Sequence, residues 1–224
     1  MMILYEDAYL IVCEKEPGVL SAPKGNGEGK DMLSLLAALF AERGESTVPY
    51  PVHRLDRPTG GLMVFAKDQK SAASLSTAAA GEGMKKEYLA VLEGVPDKAQ
   101  GELCDLLFFD RQRDKSYVVQ RQRTGVKEAR LTYEVLATRL PDEACPIPLS
   151  LVRVRLLTGR THQIRAQFAA RRLPLYGDAR YGATTRGRMG LLAATLTFPH
   201  PKDGQTMRFA LPMPKESPFS LFED

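Results

Sequence analysis

A dense polar segment, His53-Arg54-Leu55-Asp56-Arg57-Pro58-Thr59-Gly60-Gly61, stands directly before an unbroken apolar run, Leu62-Met63-Val64-Phe65-Ala66. Charge at the mouth of a buried strand needs a reason. In extended backbone alternate residues share a side, so Arg54 and Asp56 point together while Leu55 anchors the segment in the core. Pro58 and the glycine pair turn the chain behind them. A carboxylate held there can act as a nucleophile or base, provided an opposing guanidinium offsets the cost of burying it. The plain alternative is a surface loop in which Asp56 merely pairs with a neighbouring arginine. A second segment, Leu157-Thr158-Gly159-Arg160-Thr161-His162-Gln163-Ile164-Arg165, places Thr161 where it caps a helix. His162 and Arg165 then share a face near the helix start, where the backbone favours anions. A third, Lys85-Lys86-Glu87-Tyr88-Leu89-Ala90-Val91-Leu92-Glu93-Gly94, reads as a strand with Tyr88, Ala90 and Leu92 on one face. On its own Tyr88 would be an ordinary half-buried strand aromatic.

The first segment resembles the His-Arg-Leu-Asp-Arg-x-Thr-Ser-Gly motif of the RluA family of RNA pseudouridine synthases, with the family's Gly-Leu-x-Val-x-Ala-Lys continuation. Gly60 replaces the usual serine, and Gly60→Ser is expected to be tolerated. The third segment is similar to the family strand that bears the active-site tyrosine, matched by Tyr88. The second, with Leu175-Tyr176-Gly177-Asp178 and Tyr181-Gly182 after it, resembles the family's Thr-Gly-Arg-x-His-Gln-Ile-Arg block. Arg165 there matches the buried arginine that pairs with the nucleophilic aspartate. Fainter matches at Ile3-Leu4-Tyr5-Glu6-Asp7, Lys127-Glu128-Ala129 and Met207-Arg208-Phe209-Ala210-Leu211-Pro212 extend the likeness over nearly the whole chain. A second departure is Glu16, where the family has proline after Lys15.

The resemblance implies an enzyme that isomerises specific uridines in ribosomal or transfer RNA to pseudouridine, with a structured stem-loop as its partner. The target base must be flipped out of the stack before it can react. Asp56 is then the nucleophile or base, Tyr88 stacks beside the base and assists proton removal from C5, and Arg165 partners Asp56. His53, Arg54, Arg57, Thr59, Arg160, His162 and Gln163 form the RNA-binding set, Arg54 helping to fill the space that the base vacates. Uracil leaves through N1 and returns through C5 without oxidation or an imported group, so neither a cofactor nor a metal is expected. The rival is a catalytically silent RNA-binding protein of the same fold, which would have no reason to keep Asp56, Tyr88 and Arg165 together. A glycosidase would need a second carboxylate. Glu87 is the near candidate, and strand alternation turns it away from Tyr88.

Other elements must position these segments. Residues 2–13 are expected to form a strand that runs to the turn at Pro17-Gly18, with a loop at 25–29. Asp31 can cap a helix whose apolar positions Leu33, Leu36, Ala37 and Phe40 recur at helical spacing and which Gly44 stops. Residues 62–66 read as a buried strand, 69–80 as an Ala- and Ser-rich helix and 87–92 as a strand. Further strands are expected at 131–137, 149–157, 191–198 and 206–211, a helix at 161–172 and a surface loop at 141–148. Because strands mostly follow one another without intervening helices, the pattern is α+β, a mixed, largely antiparallel central sheet with flanking helices. The resemblance adds a catalytic cleft and a single catalytic domain over 1–224, with no separate N-terminal RNA-binding module.

Composition narrows the classes further. With 224 residues, 44% apolar and 26% charged, the chain can bury a substantial core. Its three cysteines, Cys13, Cys104 and Cys145, are too far apart for a disulfide framework or a zinc-ligand pair, which fits a reducing cytoplasm. No run approaches the roughly 18 to 20 apolar residues of a membrane span, and Glu6 and Asp7 do not suit a signal peptide. Net charge is only +4, yet Arg111, Arg113, Arg121, Arg123 and Arg130 cluster, as do Arg160, Arg165, Arg171, Arg172, Arg180, Arg186 and Arg188. Such clustering suits a polyanion, although a solvated surface with acidic neighbours accounts for it equally well. The glycines at 25–29 lack the Lys-Ser/Thr of a nucleotide loop. A monomer is expected.

Overall fold

Residues 1–23, 30–143 and 145–223 are described by the structure, a computed structural model, and the loop expected at 25–29 lies outside the described residues. In chain order the strands are β1 (Met2–Glu6), β2 (Leu10–Lys15), β3 (Tyr50–Pro51), β4 (Gly60–Ala66), β5 (Lys85–Glu93) and β6 (Gln100–Asp110). They continue with β7 (Lys115–Val119), β8 (Val126–Arg139), β9 (Leu149–Leu156), β10 (Leu191–Pro199) and β11 (Thr206–Ala210). The helices are α1 (Met32–Glu42), α2 (Gln69–Ala80) and α3 (Gln163–Ala169), with 3-10 turns at Ala179–Tyr181 and Phe219–Phe222. The result is the expected α+β fold, a mixed, largely antiparallel sheet with three helices among the described residues. None of these helices is long and apolar enough to cross a membrane.

The chain divides into two compact units, Met1–Lys86 with Ala193–Leu211, and Glu87–Leu192 with Pro212–Asp224. In the first, β2 lies between β1 and β4, β3 adds to β4, and β10 pairs with β11. All seven residues of β4 are buried, which explains its unbroken apolar run: both faces are covered. Leu62, Val64 and Ala66 join Leu10, Val12, Leu75, Met84, Leu196 and Phe198 in one core cluster. Each large side chain in it contributes about 1.5–3 kcal/mol by leaving water. In the second unit β8 pairs with both β6 and β9, and β6 with β7.

Several expectations change. Residues 2–13 form a hairpin and not one strand, because the Asp7 Oδ1 accepts from the amides of Tyr9 (2.7 Å) and Leu10 (2.9 Å) and so turns the chain. Helix α1 starts at its expected cap, Asp31, whose side chain accepts from the Ser34 amide, but it buries Met32, Leu36 and Phe40 while Ala37 is exposed. The β6–β7 hairpin was not expected. The helix expected at 161–172 runs only from Gln163 to Ala169, and Thr161 is not its cap.

The glycine pair ahead of β4 is demanded by close approach. Gly61 has φ +117°, and a Cβ there would sit 2.3 Å from the Ala193 carbonyl oxygen. A Cβ on Gly60 would meet Pro17 Cγ and Cδ at 3.1 Å and the Lys15 carbonyl oxygen at 3.3 Å. The two departures from the family pattern, Glu16-Pro17 and Gly60, therefore touch: Pro17 occupies room that a side chain at 60 would need. The expected tolerance of Gly60→Ser is revised accordingly. Gly60→Ser should cost about 1–2 kcal/mol in urea unfolding, as overpacking does, and adding Pro17→Ala should recover most of it. Equal costs in both backgrounds would show that Pro17 is not the obstacle.

Candidate active site

In the first unit, the backbone around Asp56 is fixed from several sides. The Ser21 hydroxyl donates to the Leu55 carbonyl and accepts from the Leu55 amide, each at 2.9 Å. The Asp56 carbonyl accepts from the Thr59 amide at 3.0 Å, closing the turn at Pro58, and the Arg57 carbonyl accepts from the Gly18 amide at 2.8 Å. Leu55 is buried and Arg54 exposed, as alternation requires, and Asp56 is half-buried. Arg57 is exposed, but its Nε donates to the Gly18 carbonyl at 3.0 Å. Thr59 is buried.

Beneath this loop lies Lys15, with no exposed surface. Its Nζ donates to the carbonyls of Glu16 (3.1 Å), Val19 (2.7 Å) and Arg57 (3.2 Å). Burial pulls its pKa down to about 8, against the upward pull of the Asp56 carboxylate. His53 behaves unlike the cationic contact expected of it. Its Nε2 accepts from the Val64 amide at 3.2 Å, and burial, then the nearby Lys86 charge, pull its pKa down to about 3. Near neutrality it is an uncharged imidazole, so any positive grip by this segment comes from Arg54 and Arg57.

In the second unit Arg165 is buried, and its Nε and Nη2 donate to Asp178 Oδ2 and Oδ1 at 2.7 and 2.8 Å. Its guanidinium also lies 4.9 Å from the centre of the Tyr181 ring. His162 stands before α3 with φ 53°, and its Nδ1 is 3.1 Å from the Tyr181 hydroxyl. That left-handed backbone explains the missing cap: Thr161 instead gives its carbonyl to the Ser116 hydroxyl at 2.6 Å. Gln163 is buried, its Oε1 accepting from the Thr158 hydroxyl (2.8 Å) and the Arg160 amide (3.0 Å) and its Nε2 donating to the Arg130 carbonyl (3.0 Å). It holds the approach to α3 together, which leaves its side chain no amide group to offer RNA. The Arg160 Nε donates to the Glu128 carbonyl at 2.8 Å.

Tyr88 is buried on β5. Glu87, turned to the other side of that strand, accepts from Arg155 Nε and Nη2 at 3.1 and 2.7 Å, which leaves it engaged as a structural partner. The arginine clusters are partly neutralised: Arg130, Arg165, Arg171 and Arg188 pair with Glu102, Asp178, Asp105 and Glu216. Lys15, Ser21, Asp178 and Tyr181 were not read as site residues from the sequence. The available signal was a lysine ending an apolar strand, and an aspartate in a block already singled out.

Two measurements test this geometry. Lys15→Met keeps the stem but strips three carbonyls of their donor, and should lower unfolding free energy by about 2–4 kcal/mol; an unchanged urea midpoint would exclude the anchor. For His53 the folded pKa lies below the ordinary 6.5, so its contribution to stability is whole above about 6.5 and is lost as pH falls toward about 3. The stability difference between the wild type and His53→Gln should therefore shrink on acidification from pH 7 to pH 5, and a constant difference would contradict a buried neutral imidazole.

Residues 9–170 match the RNA pseudouridylate synthase family. The chain is 30% identical over 217 residues to the Bacillus subtilis (strain 168) protein named Uncharacterized RNA pseudouridine synthase YhcT, covering 96% of this chain and 69% of that one. It is 31% identical over 235 residues to Ribosomal large subunit pseudouridine synthase D of Xanthomonas campestris pv. campestris, covering 96% and 66%. Among solved structures, Human RNA Pseudouridylate Synthase Domain Containing 4 matches with a TM-score of 0.76 at 22% identity over 98% of this chain and 91% of that one, a likeness of fold. The family match over most of the chain, together with relatives of this identity and coverage, makes it a member of the RNA pseudouridine synthases, in the RluA family that its motifs resemble, and hence an RNA-modifying isomerase.

Proposed function

We propose that this enzyme isomerises specific uridines of ribosomal or transfer RNA, with Asp56 as the nucleophile or base acting on a flipped-out uridine. The observation that carries the reading is the contrast at Asp56, whose flanking backbone is hydrogen-bonded to Ser21, Gly18, Lys15 and Thr59 while the residue itself is only half-buried. A reacting carboxylate gains from such preorganisation, because no ordering remains to be done when the base arrives. Extruding that base costs a few kcal/mol of stacking, which contacts to the RNA must repay. Arg54 and Arg57, both exposed, suit the backbone phosphates, and Arg160 and His162 of the other unit complete the grip. Tyr88 supplies a ring to stack on uracil, and Arg165 is the counter-charge that offsets burying Asp56.

Attack at C1′, addition at C6 and removal of the 2′ proton all draw on the same ionised carboxylate, so the role of Asp56 holds on each route. The name of the Xanthomonas relative favours ribosomal RNA as the substrate. The enzyme acts in the cytoplasm as a monomer, on a stem-loop. Pseudouridine mapping of total RNA with and without the gene is the direct test. One or a few sites should vanish on deletion, return with the wild type and stay absent with Asp56→Asn, which should bind RNA within about threefold of the wild type. Full restoration by Asp56→Asn would overturn the assignment.

A further inference from the structure

We propose that Asp178 is a positioning residue of this reaction: its carboxylate grips one edge of the Arg165 guanidinium and so fixes the direction in which the rest of that cation serves Asp56. The inference rests on the reading that Arg165 is the counter-charge of Asp56. Asp178 takes the Nε and Nη2 edge in a two-bond fork, with side-chain exposures of 5% for Arg165 and 2% for Asp178. A guanidinium held by that edge can turn neither about its own axis nor out toward water, and its end-on edge keeps one heading. The Tyr181 ring bears on the same group at 4.9 Å, and the Tyr181 hydroxyl is itself fixed, accepting from the Ser116 amide at 2.8 Å.

Asp178 is in turn held in place by its own loop. Its amide donates to the Leu175 carbonyl at 3.0 Å, and its carbonyl accepts from the amides of Tyr181 (2.9 Å) and Ala183 (3.2 Å). Gly177, just before it, has φ +72° and donates its amide to the Thr185 hydroxyl at 2.8 Å. Glu93, buried in β5, accepts from the amide and the hydroxyl of both Thr184 and Thr185. One carboxylate thus fixes the loop and a second, carried by the loop, fixes the arginine. A buried ion pair is a poor way to gain stability, since apolar side chains of similar size often do as well. Six residues of α3 around Arg165 are buried and would accept such a replacement. The pair is better explained by what the held guanidinium does.

The test compares wild type, Asp178→Asn, Asp178→Glu and Asp56→Asn under single-turnover conditions, on total RNA from a strain lacking the gene, with the RNA concentration at half-saturation and the melting temperature recorded. In Asp178→Asn an amide N–H faces a guanidinium N–H, and the rate should fall about 100-fold, the usual effect of an ångström of misplacement, while half-saturation stays within about threefold. Asp178→Glu keeps the charge and the ion pair, which guards against a failure to fold, but moves the carboxylate by one methylene; its rate should fall at least tenfold. Wild-type rates in either folded variant overturn the proposal, as does a loss that only follows the folded fraction. If Asp56→Asn is inactive while the Asp178 variants work normally, only this inference fails. An active Asp56→Asn removes the reading beneath it.

Discussion

An ammonium group fully out of water sets the terms for the loop that carries Asp56. Lys15 ends a strand whose other residues are almost all buried, and it cannot reach solvent without breaking the register of β2 with β4. Desolvating a charge costs several kcal/mol unless its donors are satisfied. Lys15 meets the cost with carbonyls drawn from two segments, Glu16 and Val19 on one side and Arg57 on the other. Each carbonyl it binds is thereby fixed in direction, so the ion organises backbone that has no regular secondary structure of its own. The Asp56 carboxylate adds an attraction that favours the charged form, which couples the loop's geometry to the group it presents.

The second unit buries its cation differently. An arginine cannot give up its proton in a protein and needs a planar partner, so Arg165 is matched by a carboxylate and not by a cage of carbonyls. The two solutions have different consequences. Carbonyls carry only partial charge and leave Lys15 able to lose its proton near pH 8, whereas the Arg165–Asp178 fork is permanently charged and directional. Orientation is what a planar donor supplies, and a point charge on a flexible stem does not.

The sequence was most informative where local rules and tertiary demands agree. Asp31 and the Leu36 and Phe40 spacing foretold α1, an Ala- and Ser-rich stretch foretold α2 to the residue, and the apolar run before Lys67 foretold a strand covered on both faces. Motif spacing also marked Asp56, Tyr88 and Arg165 as the residues to examine. The hairpin at Asp7 was missed because its turn depends on one side chain bonding two amides, while composition across 2–13 stays uniformly strand-like. The β6–β7 hairpin was missed for a similar reason: Arg111, Gln112 and Arg113 carry turn geometry through Asp110 and a left-handed Asp114, without glycine or proline.

Failures of another kind cluster around the motifs themselves. Thr161 is a good cap by type, yet the chain passes it over, spends its carbonyl on Ser116 and puts His162 into left-handed backbone at a cost of order 1–3 kcal/mol. His53 is a surface residue by type, yet it is used as a neutral acceptor for the first turn of β4. Gln163 looks like an RNA contact and serves as an internal clamp. In each case a residue that local preference would assign to solvent or to a cap has been taken inward to hold a neighbour: His53 steadies the segment leading to Asp56, Gln163 the backbone of Arg160, and His162 the ring beneath Arg165. Strain and buried polarity are tolerated where they fix a reacting geometry, so the departures from local preference trace the supports of the site, which identity at the motif positions does not reveal.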